Sequence, residues 1–336
     1  MFVFSGGANP IIVVLILLVA IAVLVLVNEL TRKYKFVGFF ISFILPVILT
    51  VLWFTVLREY LYDGWFPLVK TYTIVFCCIG AWFIRYYNVK DKSTGEKHNI
   101  FETKFAKLAY LFPPILLAVN IVQAVIRDIE IGINYYGMPP IFSDVSQAYV
   151  IGGAWNYMNA IAGIVNIFSI TGFVGITLKK VTEKDKSRSI LWPDMLWFYI
   201  LAYTLWNFAY VYNGIPHRSW YIIAVLVAPI VASIIFGKGS WIQHRLFTLM
   251  FWILFVRTFP QFTDSTVWRV DISYNPTVQF IVSFLSLVAN VAVLCYILSK
   301  WKRTGRNPYT GELHTDLKGY QAIKAMGITT GCDRRG

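Results

Sequence analysis

The sequence predicts an all-α protein that crosses a membrane about nine times, with its N-terminus outside and its C-terminus in the cytoplasm. Three observations predict this. Hydrophobic residues make up 57% of the 336 positions and mean hydropathy is +0.62, beyond the range of ordinary soluble domains. Apolar stretches, most of them near the roughly 20 residues that a span requires, fall at 10–30, 36–57, 66–87, 105–127, 152–178, 191–212, 219–237, 241–259 and 277–300. Lysine and arginine cluster at every second junction between these stretches, and basic side chains near span ends are retained on the cytoplasmic side.

The first stretch has no basic residue before it and no small-residue cleavage site after it, and Thr31-Arg32-Lys33 follows at once. It is expected to be a retained helix rather than a secretion signal. Arg32, Lys33 and Lys35 mark its inner end. Six bases from Arg85 to Lys107 follow the third stretch, five from Lys179 to Arg188 the fifth, Lys238 and Arg245 the seventh, and Lys300 opens a tail carrying eight. These junctions hold 24 of the 30 basic residues, against ten acids. The other junctions hold Arg58, Lys70, Arg127, Arg218, Arg257 and Arg269, nearly balanced by Glu59, Asp63, Asp128, Glu130, Asp144, Asp264 and Asp271. The net charge of +13 therefore belongs to one face. It suits anionic lipid head groups and does not point to nucleic acid. The chain divides into a transmembrane domain at 1–300 and a basic cytoplasmic tail at 301–336. Trp53, Trp65, Trp82, Trp192, Trp220, Trp241, Trp268 and Trp301 crowd the span ends, where aromatic rings anchor at head-group level.

Polar residues inside the spans are the candidate site. On the fifth, Asn156, Asn159, Gly163, Asn166 and Ser169 recur every three or four residues and share one face. That face is expected to meet protein or water, because an amide in hydrocarbon needs partners. It reads either as a wetted path or as interhelical glue, with Gly163 permitting close approach. The fourth offers Asn120, Gln123 and Arg127, then Glu130. Arg127 is either an interfacial charge or a group at the outer mouth of a polar cavity that attracts an anion. On the sixth, Tyr203, Asn207 and Tyr210 share one face and Trp206, Tyr210 and Asn213 an adjacent one, while Asp194 follows Pro193 in the first turn, where a helix-capping carboxylate is expected. The ninth adds Ser283, Ser286 and Asn290. Lys70 and Arg257 are expected to form ion pairs near the outer surface. The loop at 132–151 is expected to cover the outer mouth or to dip back into the membrane, where non-helical backbone survives only against protein or water.

Known catalytic patterns are missing. There is no HExxH and no phosphate-binding glycine loop, and His98, His217, His244 and His314 match no metal-ligand spacing. A Ser/His/Asp site would need His217 with the distant Ser143 and Asp144. Cys77, Cys78 and Cys295 lie in spans and Cys332 in the tail, so no disulfide framework is implied. No cofactor and no metal is indicated. A short echo links Thr94-Gly95-Glu96-Lys97-His98 to Thr310-Gly311-Glu312-Leu313-His314, and reads as chance or as a shared turn.

At 120–130 (NIVQAVIRDIE), 191–213 (LWPDMLWFYILAYTLWNFAYVYN) and 310–321 (TGELHTDLKGYQ) the chain resembles an uncharacterised family of bacterial polytopic membrane proteins, a domain of unknown function. The resemblance implies a bacterial cytoplasmic membrane and carries over no activity or catalytic residue. The expected partners are the lipid bilayer and a small polar or ionic solute. Polar stripes on spans four, five, six and nine favour a secondary transporter or channel. An embedded enzyme acting on a lipid or isoprenoid, and a non-catalytic sensor or assembly factor, are the alternatives.

Overall fold

Pro10 opens the first helix, α1 (Pro10–Lys33), where its missing N–H has no partner to lose, and Asn9 caps it by accepting from the Ile11 N–H at 2.9 Å. These features belong to a computed structural model that describes residues 1–60, 64–90, 95–103 and 105–328. Asp63, Asp91, Lys92, Thr94, Lys104 and residues 329–336, Cys332 among them, lie outside the described residues. After α1 a single extended residue, Tyr34, leads into α2 (Lys35–Phe54). A π-helical turn at Phe40–Ile44 precedes Pro46. The proline ring cannot pack against the carbonyl four residues back, and the wider turn makes room for it.

The helices α3 (Trp65–Tyr86), α4 (Ala106–Asn134), α5 (Ala154–Phe168), α6 (Trp197–Gly214), α7 (Ser219–Ile235), α8 (Trp241–Thr258) and α9 (Pro276–Thr304) follow. Each falls on one of the apolar stretches. Among the described residues, six helices are long and apolar enough to cross a membrane: α1, α2, α3, α4, α7 with its preceding turn, and α9. Their outward side chains are bare hydrocarbon, as at Ile11, Phe36, Leu108 and Ile234, which is what a lipid-facing surface presents. The other three differ for a physical reason. Helices α6 and α8 are buried along most of their length and α5 has only 15 residues. A helix walled in by protein needs no continuous apolar surface.

Two boundaries depart from expectation. The fifth helix stops at Phe168 rather than near 178, because Ser169 folds its hydroxyl back onto the Val165 carbonyl at 2.9 Å and Gly172 takes a left-handed conformation at φ 59°. The chain then runs as a strand, Thr177–Leu178, paired antiparallel with Ile190–Leu191. That pairing delays α6 until Trp197, so Asp194 precedes the helix instead of lying in its first turn.

The junctions sort to the two ends of the bundle. At the end carrying the N-terminus, Phe2–Val3 pairs with Asp271–Ile272, Tyr212 donates its hydroxyl proton to the Met1 carbonyl at 2.9 Å, and Ile141–Ser143 pairs with Ala148–Val150. At the tail end, Arg32 donates to Ser187 Oγ at 2.7 Å and pairs with Asp185 at 3.1 Å, and Arg85 donates to the Ser187 carbonyl at 2.6 Å. These two bases are buried and hold a loop rather than supplying surface charge. Burial alone would raise the Asp185 carboxyl, but Lys179, Ser187 and Arg32 hold it well below the usual carboxylate range. The tail folds back here. Gly172 N–H donates to the Pro308 carbonyl at 2.8 Å, and a last helix, α10 (Lys318–Met326), is fastened by Lys324 to Glu312 at 2.9 Å and by the Ile328 N–H to the Leu178 carbonyl at 2.8 Å. The two echoed segments take different shapes: Lys97–Asn99 forms a hairpin strand, whereas Leu313 and His314 are buried in a turn.

Candidate functional site

The polar stripe of α5 is a seam between helices. Asn159 Nδ2 donates to Asp128 on α4 at 2.8 Å, and its Oδ1 accepts from Ser286 on α9 at 2.9 Å. Asn156 Nδ2 reaches the same Asp128 carboxylate at 3.4 Å and its Oδ1 accepts from the Gly153 N–H. Asn166 Nδ2 donates to Asn290 Oδ1 at 2.6 Å, while Tyr199 donates to Asn166 Oδ1 at 2.9 Å. Asn290 Nδ2 in turn reaches the Ala202 and Ser286 carbonyls, and Asn213 donates to Ser283. Gly163 is necessary to this closeness: a Cβ there would stand 2.6 Å from Val125 and 2.7 Å from Trp206 Nε1. That indole N–H donates to the Asn159 backbone carbonyl at 3.2 Å. Of the two sequence readings, the contacts fit glue, and none of Asn156, Asn159, Asn166 or Asn290 lines the cavity described next.

The cavity lies on the other side of α4 and α6, against α3, α7 and α8, and has a volume of about 110 Å³. Four basic side chains line it: Lys70, Arg218, Arg245 and Arg257. Among the described residues, no aspartate or glutamate lines it. Asn120, Asn207 and Tyr210, all singled out from the sequence, contribute to its wall, as does Ser146 of the 132–151 loop. Along α8 the lining runs Arg245, Leu249, Trp252, Ile253, Val256, Arg257, one face of a helix. Twelve residues separate its two arginines in the sequence, about 18 Å of helix axis at 1.5 Å per residue.

The deepest charges hold neutral partners. Lys70 Nζ donates to the Asn120 backbone carbonyl at 3.1 Å, at the midpoint of α4. Arg245 is 2% exposed and donates from Nη2 to Asn207 Oδ1 at 3.2 Å, with its guanidinium 5.8 Å from the Tyr203 ring centroid. Among the described residues, its Nε and the Tyr210 hydroxyl have no hydrogen-bond partner. A smaller void of about 20 Å³ continues past Asn120, Arg245 and Leu249 toward Cys77, Pro113 and Tyr203. The sequence missed both cations. Lys70 was expected in an ion pair near the surface and Arg245 was counted among junction bases. Their signal was a lysine and an arginine placed a turn inside apolar helices rather than at their ends.

Residues 7–326 match the Family of unknown function (DUF5692). The chain belongs to this family. No curated protein and no solved structure matches it.

In this DUF5692 member the remaining candidates have local partners. Gln123 donates to Thr73 on α3 at 2.9 Å. Arg127 does not line the cavity: it pairs with Glu130 at 2.9 Å and donates to Ser143 Oγ at 2.9 Å and Ser146 Oγ at 2.5 Å. It thereby holds the 132–151 loop over the end of the bundle, and Ser146 passes a hydrogen bond on to the Gly214 carbonyl at 2.7 Å. Trp206 and Tyr203 are fully buried beside Arg245 and the seam. His217 lies 3.4 Å from Asp264, and Ser143 accepts from Arg127.

Asp194 caps the tail rather than its own helix. Its two oxygens accept the backbone N–H groups of Leu313 at 2.8 Å and His314 at 3.1 Å. Burial raises its pKa to about 6, opposed by those two N–H groups, raised further by Glu312 and lowered by Lys300. His314 stacks on Tyr296 with ring centroids 5.7 Å apart. Burial, then Lys300, lowers its pKa to about 4, against a smaller raising effect of Asp316.

Proposed function

We propose that this protein is a nine-span carrier of a small anionic solute in the bacterial cytoplasmic membrane, with its N-terminus outside and its tail in the cytoplasm. The observation that carries this reading is the pair of deep cations, Lys70 and Arg245, lining one cavity. Cationic side chains deep in a membrane protein are costly unless paired. Lys70 and Arg245 are met by neutral oxygens and a ring, which leaves a bound anion as the partner that balances them. Asn120 and Asn207, at mid-depth, supply polar groups to a solute that has left its hydration shell. Mid-membrane binding between helices is the arrangement carriers use. The basic surplus at the tail end supports the orientation.

The test is flux in proteoliposomes containing the purified full-length protein. Saturable uptake of small organic and inorganic anions is expected, reduced at least tenfold by Lys70→Gln or Arg245→Gln. Anion flux that neither substitution alters would reject the cavity as the route.

A further inference from the structure

The cavity is not uniformly polar. Between the Arg257 level and the Lys70–Arg245 level its walls are Val211, Ile222, Leu249, Trp252, Ile253 and Val256. A hydrated inorganic ion gains nothing from such walls and loses solvation against them, whereas an alkyl or aryl group is stabilised there by leaving water. The group left without a partner lies at the deep end. Arg245 Nε is buried and, among the described residues, has no hydrogen-bond partner, on a residue that lines the same cavity as Lys70.

On the carrier reading above, which this inference rests on, we infer that the solute is an amphipathic organic anion: a carboxylate or phosphate head seated between Lys70 and Arg245, with a compact apolar body along α8. The head oxygens accept from Lys70 Nζ and the Arg245 guanidinium. The body lies against Trp252, Ile253 and Ile222. Size limits the body. A volume of about 110 Å³ is below the roughly 150 Å³ of a cavity that admits benzene, so the enclosed space takes the head with a chain of about four carbons in all, and anything longer reaches out of it.

Binding to the full-length protein in nanodiscs tests this, using acetate, butyrate, hexanoate, benzoate, phenyl phosphate, inorganic phosphate and the uncharged hexanamide. Affinity is expected to rise about fourfold per added methylene from acetate to butyrate, the factor that corresponds to one buried methylene, and more weakly on to hexanoate. Hexanamide should bind at least tenfold more weakly than hexanoate. Benzoate against phenyl phosphate separates the two head groups. Arg245→Gln should abolish the preference of hexanoate over hexanamide. Should that variant fail to fold, Lys70→Gln should narrow the same preference severalfold. If acetate or inorganic phosphate binds as tightly as hexanoate, the amphipathic solute is excluded while the anion carrier stands. If hexanamide equals hexanoate, or if no anion binds, the inference and the carrier reading fall together.

Discussion

Asn159 of α5 and Asp128 of α4 meet in a hydrogen bond of 2.8 Å, both fully buried, in the middle of a seam that joins four helices. Asn159→Leu leaves one carboxylate oxygen without its donor and Ser286 without its acceptor. The expected cost is on the order of 1–2 kcal/mol, the upper range for interhelical hydrogen bonds in membranes. Thermal unfolding in nanodiscs measures it. Anion flux per folded molecule should stay within about twofold (a loss of under 0.5 kcal/mol), because Asn159 does not line the cavity. Flux lost with stability unchanged would return the stripe to the solute path.

Gly163→Ala places a methyl group against Val125 and Trp206 Nε1. Overpacking of this kind costs about 1–3 kcal/mol. The same thermal measurement should show a drop, and an unchanged midpoint would mean that α4 and α6 separate freely at this point.

Arg127→Gln removes the donor that holds Ser143 and Ser146. The 132–151 loop should then become susceptible to added protease while remaining protected in the parent protein. Equal protection in both would show that the hairpin and the Ser146–Gly214 hydrogen bond suffice.

Acid should reveal two opposing groups at the tail. Asp194 is raised to about 6 from 3.8, so its contribution to stability is complete below 3.8 and is lost as pH rises through about 6. His314 is lowered to about 4 from 6.5, so its contribution is complete above 6.5 and is lost as pH falls through about 4. Between those limits the two slopes oppose each other, with Lys300, Glu312 and Asp316 as the neighbouring charges. Asp194→Asn should therefore lose stability as pH falls from 6 to 4. His314→Phe, which keeps a ring on Tyr296, should gain it over the same interval. Identical pH slopes in both variants and the parent would overturn this account.

Sidedness follows from exposed positions. In a background lacking the native cysteines, Ser5→Cys should react with a membrane-impermeant maleimide added outside cells, and Arg306→Cys only after permeabilisation. Both residues are exposed. The reverse pattern would invert the orientation.

The helices were legible because hydrocarbon imposes length and apolarity on whatever faces it, and α1, α2 and α9 wear that pattern openly. The asparagine face was legible for the same reason: Asn156, Asn159 and Asn166 at helical spacing must find partners. Which partners they find depends on how helices distant in sequence meet. Asn166 bonds Asn290 across 124 positions, and nothing local encodes that. Lys70 and Arg245 lie only a turn inside their helices, and nothing local shows that their long side chains reach Asn120 and Asn207 at mid-depth. The end of α5 was missed because the run from Ile170 to Leu178 is apolar yet folds as a turn and a strand after Gly172. Asp194 was read by its proximity to Pro193, although its hydrogen bonds run to residues 119 and 120 positions away.

The clasp between Asp194 and the Leu313–His314 backbone sets an order on biogenesis. The carboxylate is inserted with the middle of the chain, but its two donors are synthesised only after the last long helix has left the ribosome. Likewise, Phe2–Val3 waits for Asp271–Ile272. A nascent chain that stalls before residue 313 therefore leaves the Asp194 carboxylate without the two donors that close this end of the bundle.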